Sequence, residues 1–141
     1  MLEFLKHLKE DSLSKKLIEE RYTHNQDFPY RTRFFEEIPF NNGITLSIQA
    51  SGIHNSKPEK TLNDLTQYEA FELGVKSLDV RNFVSMDYAT RDKAFTRMFK
   101  DYFDGSVYAS VPSPLIEDLF QKLKDEHGLV PLDSQTGPSA V

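Results

Sequence analysis

The sequence predicts an α+β domain: a small antiparallel sheet of three to four strands, helices packed on one face, and an N-terminal helical extension. Residues 44–51 alternate strictly between apolar and polar side chains, which indicates a half-buried antiparallel strand. Apolar residues at helical spacing mark the segments before and after the predicted strands. Because the strands cluster instead of alternating with helices, parallel βαβ winding is disfavoured.

Composition restricts the class of protein. The chain has 141 residues, enough for one domain with an adequate core. It has no cysteine, so disulfides, thiolate metal ligands and cysteine nucleophiles are excluded, and a reducing compartment is favoured. Charges interrupt the apolar residues at the N-terminus, and no segment is apolar enough to span a membrane, so we expect a cytoplasmic protein without a signal peptide.

The charge distribution disfavours nucleic acid as a partner. The net charge is −5, and the excess of negative charge lies in residues 34–77 and 105–141. Binding to phosphates favours the reverse, a concentrated face of basic side chains. Four basic residues of one predicted helix keep nucleic acid from being excluded: Arg91, Lys93, Arg97 and Lys100.

The N-terminal region is predicted to be an appended helix. Residues 2–22 carry an apolar stripe at helical spacing, with a break or new N-cap at Asp11 and Ser12. Residues 23–33 have no periodicity and resemble a linker. We therefore divide the chain into a helical segment and linker (1–33), an α+β domain (34–130) and a flexible tail (131–141).

This predicted helix needs a partner for its apolar stripe, because a short helix is marginally stable alone in water. Two-fold self-association is the commonest outcome for small soluble proteins. We therefore expect a homodimer whose interface includes Leu5, Leu8, Leu13 and Leu17.

The elements of the main domain follow from local signals. Strands at 34–40 and 44–51 flank Asn41-Asn42-Gly43, which predicts a type I′ hairpin. After a polar loop, residues 68–76 form a third strand; a helix spans 88–103, a short strand 106–111, and a last helix ends at Gly128. The expected core consists of Leu46, Ile48, Phe71, Leu73, Phe99, Leu119 and Phe120.

No catalytic or metal-binding motif is present. The four histidines (His7, His24, His54 and His127) never pair at the i+3 or i+4 spacing of a zinc site. The sequence has no serine nucleophile elbow, phosphate-binding loop or dinucleotide fingerprint. We therefore predict no catalytic residue, no metal and no cofactor.

One polar cluster is a candidate ligand site. Ser47 and Gln49 lie on the polar face of one predicted strand, Tyr68 and Glu72 lie on the matching face of the next, and the loop containing His54 follows. If the two strands pair, these five residues form a polar surface patch. The competing interpretation is a set of ordinary cross-strand pairs on a solvated face.

Several short motifs resemble small uncharacterised proteins of tailed phages and prophages. These are FEEIPFNNGITLSIQAS at 35–51, YEAFELG at 68–74, VYASVP at 107–112 and His-Gly at 127–128. The resemblance covers residues 34–130; it departs from the family at Leu129, where a second glycine is expected, and in the added N-terminal segment. It implies a phage accessory protein, a class that often binds host or defence proteins.

Three functions remain open at this stage. The first is a non-enzymatic phage or prophage accessory protein that binds, and thereby inhibits, a host or defence protein. The second is a small-ligand or nucleotide-binding protein that uses the polar patch. The third is an enzyme with an unrecognised site. A basic pocket in the structure would favour the second function, and a converging acid–base pair the third.

Overall fold

The fold was obtained as a computed structural model that describes residues 2–12 and 32–131. The α+β class is confirmed, although the antiparallel sheet has six strands and not three to four. Within the described residues, the strands are β1 (Ile38–Pro39), β2 (Ile44–Gln49), β3 (Ala70–Ser77), β4 (Asn82–Val84), β5 (Phe103–Asp104) and β6 (Val107–Pro112), and the longer α-helices are α1 (Lys93–Arg97) and α2 (Ser113–His127).

Strand β3 lies at the centre of the sheet. The strand order is β1-β2-β3-β6-β5. On one side of β3, β6 pairs with the first half of the strand and β4 pairs with its second half. All of these pairings are antiparallel. A β-bulge between Phe71 and Leu73 interrupts the register with β6, and Ser110 of β6 has a positive φ of 49°.

The hairpin between β1 and β2 has a different turn from the predicted one. Gly43 has a φ of 85°, but neither Asn41 nor Asn42 has a positive φ, so the turn is not of type I′. The Gly43 N–H donates to the Phe40 carbonyl (3.1 Å), and the Phe40 N–H donates to the Ile44 carbonyl (2.8 Å). This is a type I turn followed by a left-handed glycine, the usual three-residue hairpin loop.

The core lies between one face of the sheet and α2. Apolar residues of α2 recur at i, i+3, i+4 and i+7, which places them on one face of the helix. All seven residues of the expected core are fully buried. The helix ends as predicted at Gly128, whose φ of 82° suits glycine and whose N–H donates to the Lys124 carbonyl (2.9 Å).

The described N-terminal residues pack on the domain itself. Glu3–His7 form a 3-10 helical turn, and Glu10 pairs with Phe35 as an extended bridge, so one continuous helix through residue 22 is excluded. Phe4 packs edge to face on Phe71, with ring centroids 5.4 Å apart. Both carboxylate oxygens of Glu117 accept backbone N–H groups of this turn, at 3.1 and 3.0 Å.

The packing of the N-terminal residues buries part of the leucine side chains expected in the dimer interface. The Leu8 side chain is only 7% exposed and belongs to the core, and Leu5 packs against that core. Leu8 is therefore covered by its own chain, and the place of Leu5 and Leu8 in a dimer interface stays a prediction. Leu13 and Leu17 lie outside the described residues, so their interface role stays a prediction.

The single helix expected at 88–103 is divided into shorter pieces. A 3-10 turn at Met86–Tyr88 precedes α1, and a second turn at Lys100–Tyr102 leads into β5. The Asp92 carboxylate caps α1 by accepting the Phe95 N–H (3.1 Å), which starts a new helix inside the predicted one. Phe103, expected on the apolar face of that helix, lies instead in a strand.

In the described part of the chain, no helix has the length and apolar character that crossing a membrane requires.

Gly74 of β3 permits a close approach of the Phe83 ring from β4. A Cβ added at Gly74 would overlap this ring, with its Cδ1 atom 2.9 Å away. We expect Gly74→Ala to lower the free energy of unfolding by about 1–3 kcal/mol, because the ring must move from its packed position. Urea denaturation measures the change.

The matched control for this variant is Phe83→Ala, which removes the ring. The double variant should lose less stability than the sum of the two single variants, because the added methyl group then meets open space. Strictly additive losses would show that the ring does not lie over Gly74.

Candidate functional site

Strands β2 and β3 bring most of the predicted polar patch onto one face of the sheet. Gln49 is the cross-strand partner of Glu72, and Ser47 is the partner of Gly74. The two strands therefore pair, which was the condition for this patch to form. The face is not solvated, however, because Ser47 is 8% and Gln49 is 6% exposed.

The Gln49 side chain binds the backbone of Phe35. Its Oε1 atom accepts the Phe35 N–H (2.8 Å), and its Nε2 atom donates to the Phe35 carbonyl (3.0 Å). The same Nε2 atom donates to Ser47 Oγ (3.1 Å). The amide of Gln49 therefore acts as a strand-like partner that holds this segment over the sheet, a structural role.

Tyr68 lies in the core, away from this face. Its ring centroid is 5.2 Å from that of Phe71, and its hydroxyl accepts hydrogen bonds from Arg33 Nη2 (2.9 Å) and the Leu62 N–H (2.7 Å). The hydroxyl also donates to the Lys60 carbonyl (2.5 Å). Tyr68 thus organises the loop before β3 and is not part of a surface patch.

Arg33, expected to end a linker, is 4% exposed. Its Nη1 atom donates to the Leu62 carbonyl (2.7 Å) and its Nη2 atom to the Ala50 carbonyl (2.8 Å). The guanidinium lies over the Phe35 ring, 4.6 Å from the centroid. Among the described residues, its Nε atom has no hydrogen-bond partner. Carbonyl dipoles and aromatic faces therefore stabilise this buried cation, and no carboxylate of the described residues forms an ion pair with it.

His54 and Ser51 form a buried hydrogen-bonded pair. Ser51 Oγ lies 2.6 Å from His54 Nδ1, the contact that an activated serine nucleophile makes with its base. Ser51 is fully buried, however, so a substrate carbonyl cannot reach its Oγ atom. Burial, and secondly the charge of Arg33, lower the pKa of His54 to about 4, so the imidazole is neutral at pH 7. The pair is structural.

Glu72 is the ionisable group of the patch with access to solvent. Its Oε1 atom accepts from the backbone N–H (3.4 Å) and the Nδ2 atom (3.3 Å) of Asn55. Burial raises the pKa of Glu72, and the bonds from Asn55 oppose that rise. These bonds attach the loop of His54 to the centre of β3.

Four of the five predicted site residues line one polar cleft. This cleft, of about 420 Å³, is formed by Ser47, Gln49, His54 and Glu72 together with the rings of Phe34 and Phe83. Lys76 and Glu37 form an ion pair at the same cleft, and the Lys76 ammonium lies 5.0 Å from the Phe83 ring centroid. Within residues 2–12 and 32–131, no group of three or more His, Asp or Glu side chains converges as a metal site would require.

The structure has a second concave surface that the sequence patterns did not predict. We name it the Phe103 groove; it has a volume of about 410 Å³ and lies between β5, β6 and the segments at 85–87 and 96–100. Its main lining residues are Met86, Asp87, Arg97, Lys100, Phe103 and Tyr108.

The Phe103 groove has an apolar floor and a half-exposed aromatic wall. Tyr108 and Met86 are buried, and the Met86 N–H donates to the Tyr108 hydroxyl (2.9 Å). The Phe103 ring packs edge to face on Tyr108, with centroids 5.3 Å apart, and yet Phe103 is 50% exposed. This geometry suits a large apolar side chain of a binding partner.

One sequence signal could have located this groove. Phe103 and Tyr108 flank Asp104-Gly105, and an Asp-Gly pair between apolar residues is a typical hairpin signal. Phe99, Tyr102 and Phe103 also have helical spacing, so the sequence predicts a helix through Phe103 and not a hairpin. With the hairpin recognised, both rings would have been placed on one face of a two-stranded edge.

Comparisons with protein-family models, with curated proteins and with solved structures found no match to this chain.

The neutral His54 makes stability depend on pH. Its folded pKa of about 4 lies below its ordinary value of 6.5, so between these values the unfolded chain binds a proton that the folded chain does not. The free energy of unfolding should therefore fall as the pH falls from about 6.5 to 4, with His54 contributing at most about 3 kcal/mol of that loss.

His54→Asn provides the test, because its amide can replace Nδ1 but does not titrate. We expect urea denaturation to give a smaller loss of stability between pH 7 and pH 4 for the variant than for the wild type. Parallel pH profiles for the two proteins would show that His54 does not stay neutral in the fold.

Proposed function

We propose that this protein acts by binding another protein through the Phe103 groove and that it is not an enzyme. The observation that carries this proposal is the exposed ring of Phe103 beside an apolar concave surface. Aromatic residues next to a pocket are characteristic of the anchoring regions of protein interfaces. The exposed ring contributes less to the stability of the domain than a buried one, so its position favours a role in recognition.

The polar residues of the predicted ligand site also support this proposal, because their hydrogen bonds are made within the fold. Gln49 is bound to Phe35, His54 to Ser51, and Tyr68 to Arg33 and the preceding loop. A side chain whose hydrogen bonds hold the backbone in place has little capacity left for a ligand. Function is therefore better assigned to the surface that the fold leaves open.

The class of partner comes from the sequence resemblance. We propose a phage or prophage accessory protein that binds and inhibits a host or defence protein in the cytoplasm of the host cell. The small groove, with one aromatic wall, suits an anchor residue of such a partner. The net charge of −5 supports a protein partner over nucleic acid.

The small-ligand alternative depends on the polar cleft. Ser47, His54 and Glu72 line it, but Tyr68, the fifth predicted residue, does not. A small molecule that raises the melting temperature of the wild type, but not that of Glu72→Gln, would support this alternative and count against our proposal.

Photo-crosslinking in the native host tests the proposed binding surface. With benzoylphenylalanine at position 103, we expect one discrete adduct, identified by mass spectrometry, because the ring contacts the partner directly. The matched control carries the same group at Leu78, which is also exposed but lies in the turn between β3 and β4. Equal adducts from both positions, or none from position 103, would contradict the proposal.

A further inference from the structure

The chemistry of the Phe103 groove identifies the segment that fits it. We infer that the groove binds an acidic peptide segment of the partner protein, anchored by one large apolar side chain. This inference rests on the proposed protein-binding function and adds the chemical class of the bound segment. Three features of the groove carry it: its apolar floor, its two cations, which form no ion pair within the described residues, and the Tyr108 hydroxyl.

The apolar floor accounts for the anchor. Tyr108 and Met86 present buried side chains at the bottom, and Phe103 forms one wall. An aromatic or large aliphatic side chain placed here would cover the exposed part of the Phe103 ring and exclude water from it. The volume of about 410 Å³ is at the lower end of ligand pockets and suits one or two side chains.

Two cations at the groove account for the acidic character of the segment. Arg97 and Lys100 line it, and neither forms an ion pair with a carboxylate among residues 2–12 and 32–131. The carboxylate of the groove, Asp87, lies 3.7 Å from Lys93 Nζ, which offsets its charge. The groove is therefore locally positive on a protein of net charge −5.

The Tyr108 hydroxyl adds a hydrogen-bond donor. It accepts the Met86 N–H, and within the described chain its own proton has no assigned acceptor. Burial raises the pKa of Tyr108, and the charge of Asp87 adds to the rise, so the hydroxyl keeps its proton at neutral pH. A carboxylate or backbone carbonyl of the bound segment can accept from it.

Nucleic acid is the competing occupant, because bases stack on aromatic rings and phosphates bind cations. Two cations are fewer than a nucleic-acid strand needs, because such a strand is bound by a row of basic side chains that contact several phosphates. An acidic peptide needs fewer cations, because basic residues beside an apolar pocket can each bind one carboxylate.

The experiment is a selection from a random displayed peptide library against the full-length protein. We expect the selected peptides to share one aromatic or large aliphatic residue flanked by Asp or Glu. For a selected peptide measured by fluorescence anisotropy, Arg97→Glu with Lys100→Glu should weaken binding by at least about tenfold, and Phe103→Ser by a similar factor.

The matched control reverses two other exposed cations with the same spacing in sequence, Lys57→Glu with Lys60→Glu, and should leave the affinity unchanged. Circular dichroism melting of every variant separates lost binding from lost folding. Added salt should weaken binding of the wild type, because the two cations remain accessible to solvent.

The outcomes separate this inference from the proposed function. Peptides that require Phe103 but carry no acidic residues, or that bind the charge-reversed variant equally well, overturn the inference and leave a protein-binding groove in place. If no selected peptide depends on Phe103 and position 103 gives no crosslink, both fail. Binding of a single-stranded oligonucleotide probe that is lost with Arg97 and Lys100 reversed also overturns the peptide inference.

Discussion

Burial of both faces of strand β3 determines where the other elements lie. One face carries Phe71, Leu73 and Val75 into the core, where α2 and the N-terminal turn cover them. The opposite face carries Gly74, over which the Phe83 ring packs, and Glu72, which binds the loop through Asn55. A strand buried on both faces needs cover from two layers. The described residues before β1 supply part of it, with Phe4 packed on Phe71 and Phe35 bound to Gln49.

A buried cation stabilises the second of these layers. Arg33 donates to the carbonyls of Ala50 and Leu62 and to the Tyr68 hydroxyl, and thereby joins the end of β2 to the loop before β3. Removing one of these partners would leave a buried charge poorly satisfied, which is costly in a medium of low dielectric constant. Burial, and secondly the charge of Arg33, lower the pKa of the neighbouring His54 and keep it neutral, so the stability of this layer depends on pH.

The contrast between the polar cleft and the Phe103 groove underlies the functional proposal. In the polar cleft, hydrogen bonds of Gln49 and His54 are made within the chain, whereas the groove leaves Arg97, Lys100 and half of Phe103 available to a partner. Recognition of an acidic segment with an apolar anchor uses all three. The proposed partner would therefore match both the shape and the charge of this surface, whereas several polar groups of the cleft are already bound within the fold.

The sequence by itself determined the α+β class, all seven core residues and the end of α2 at Gly128, because hydrophobic periodicity and glycine conformation act over a few neighbouring residues. It placed Ser47, Gln49, His54 and Glu72 together on an exposed face, on condition that the two strands pair. The burial of Ser47 and Gln49 was not predicted, since only the fold places Phe35 over Gln49. Tertiary structure alone decided the burial of Leu8 and Arg33 and the split of the predicted helix at 88–103. It alone formed the groove around Phe103, because contacts between distant segments compete with local periodicity and override it.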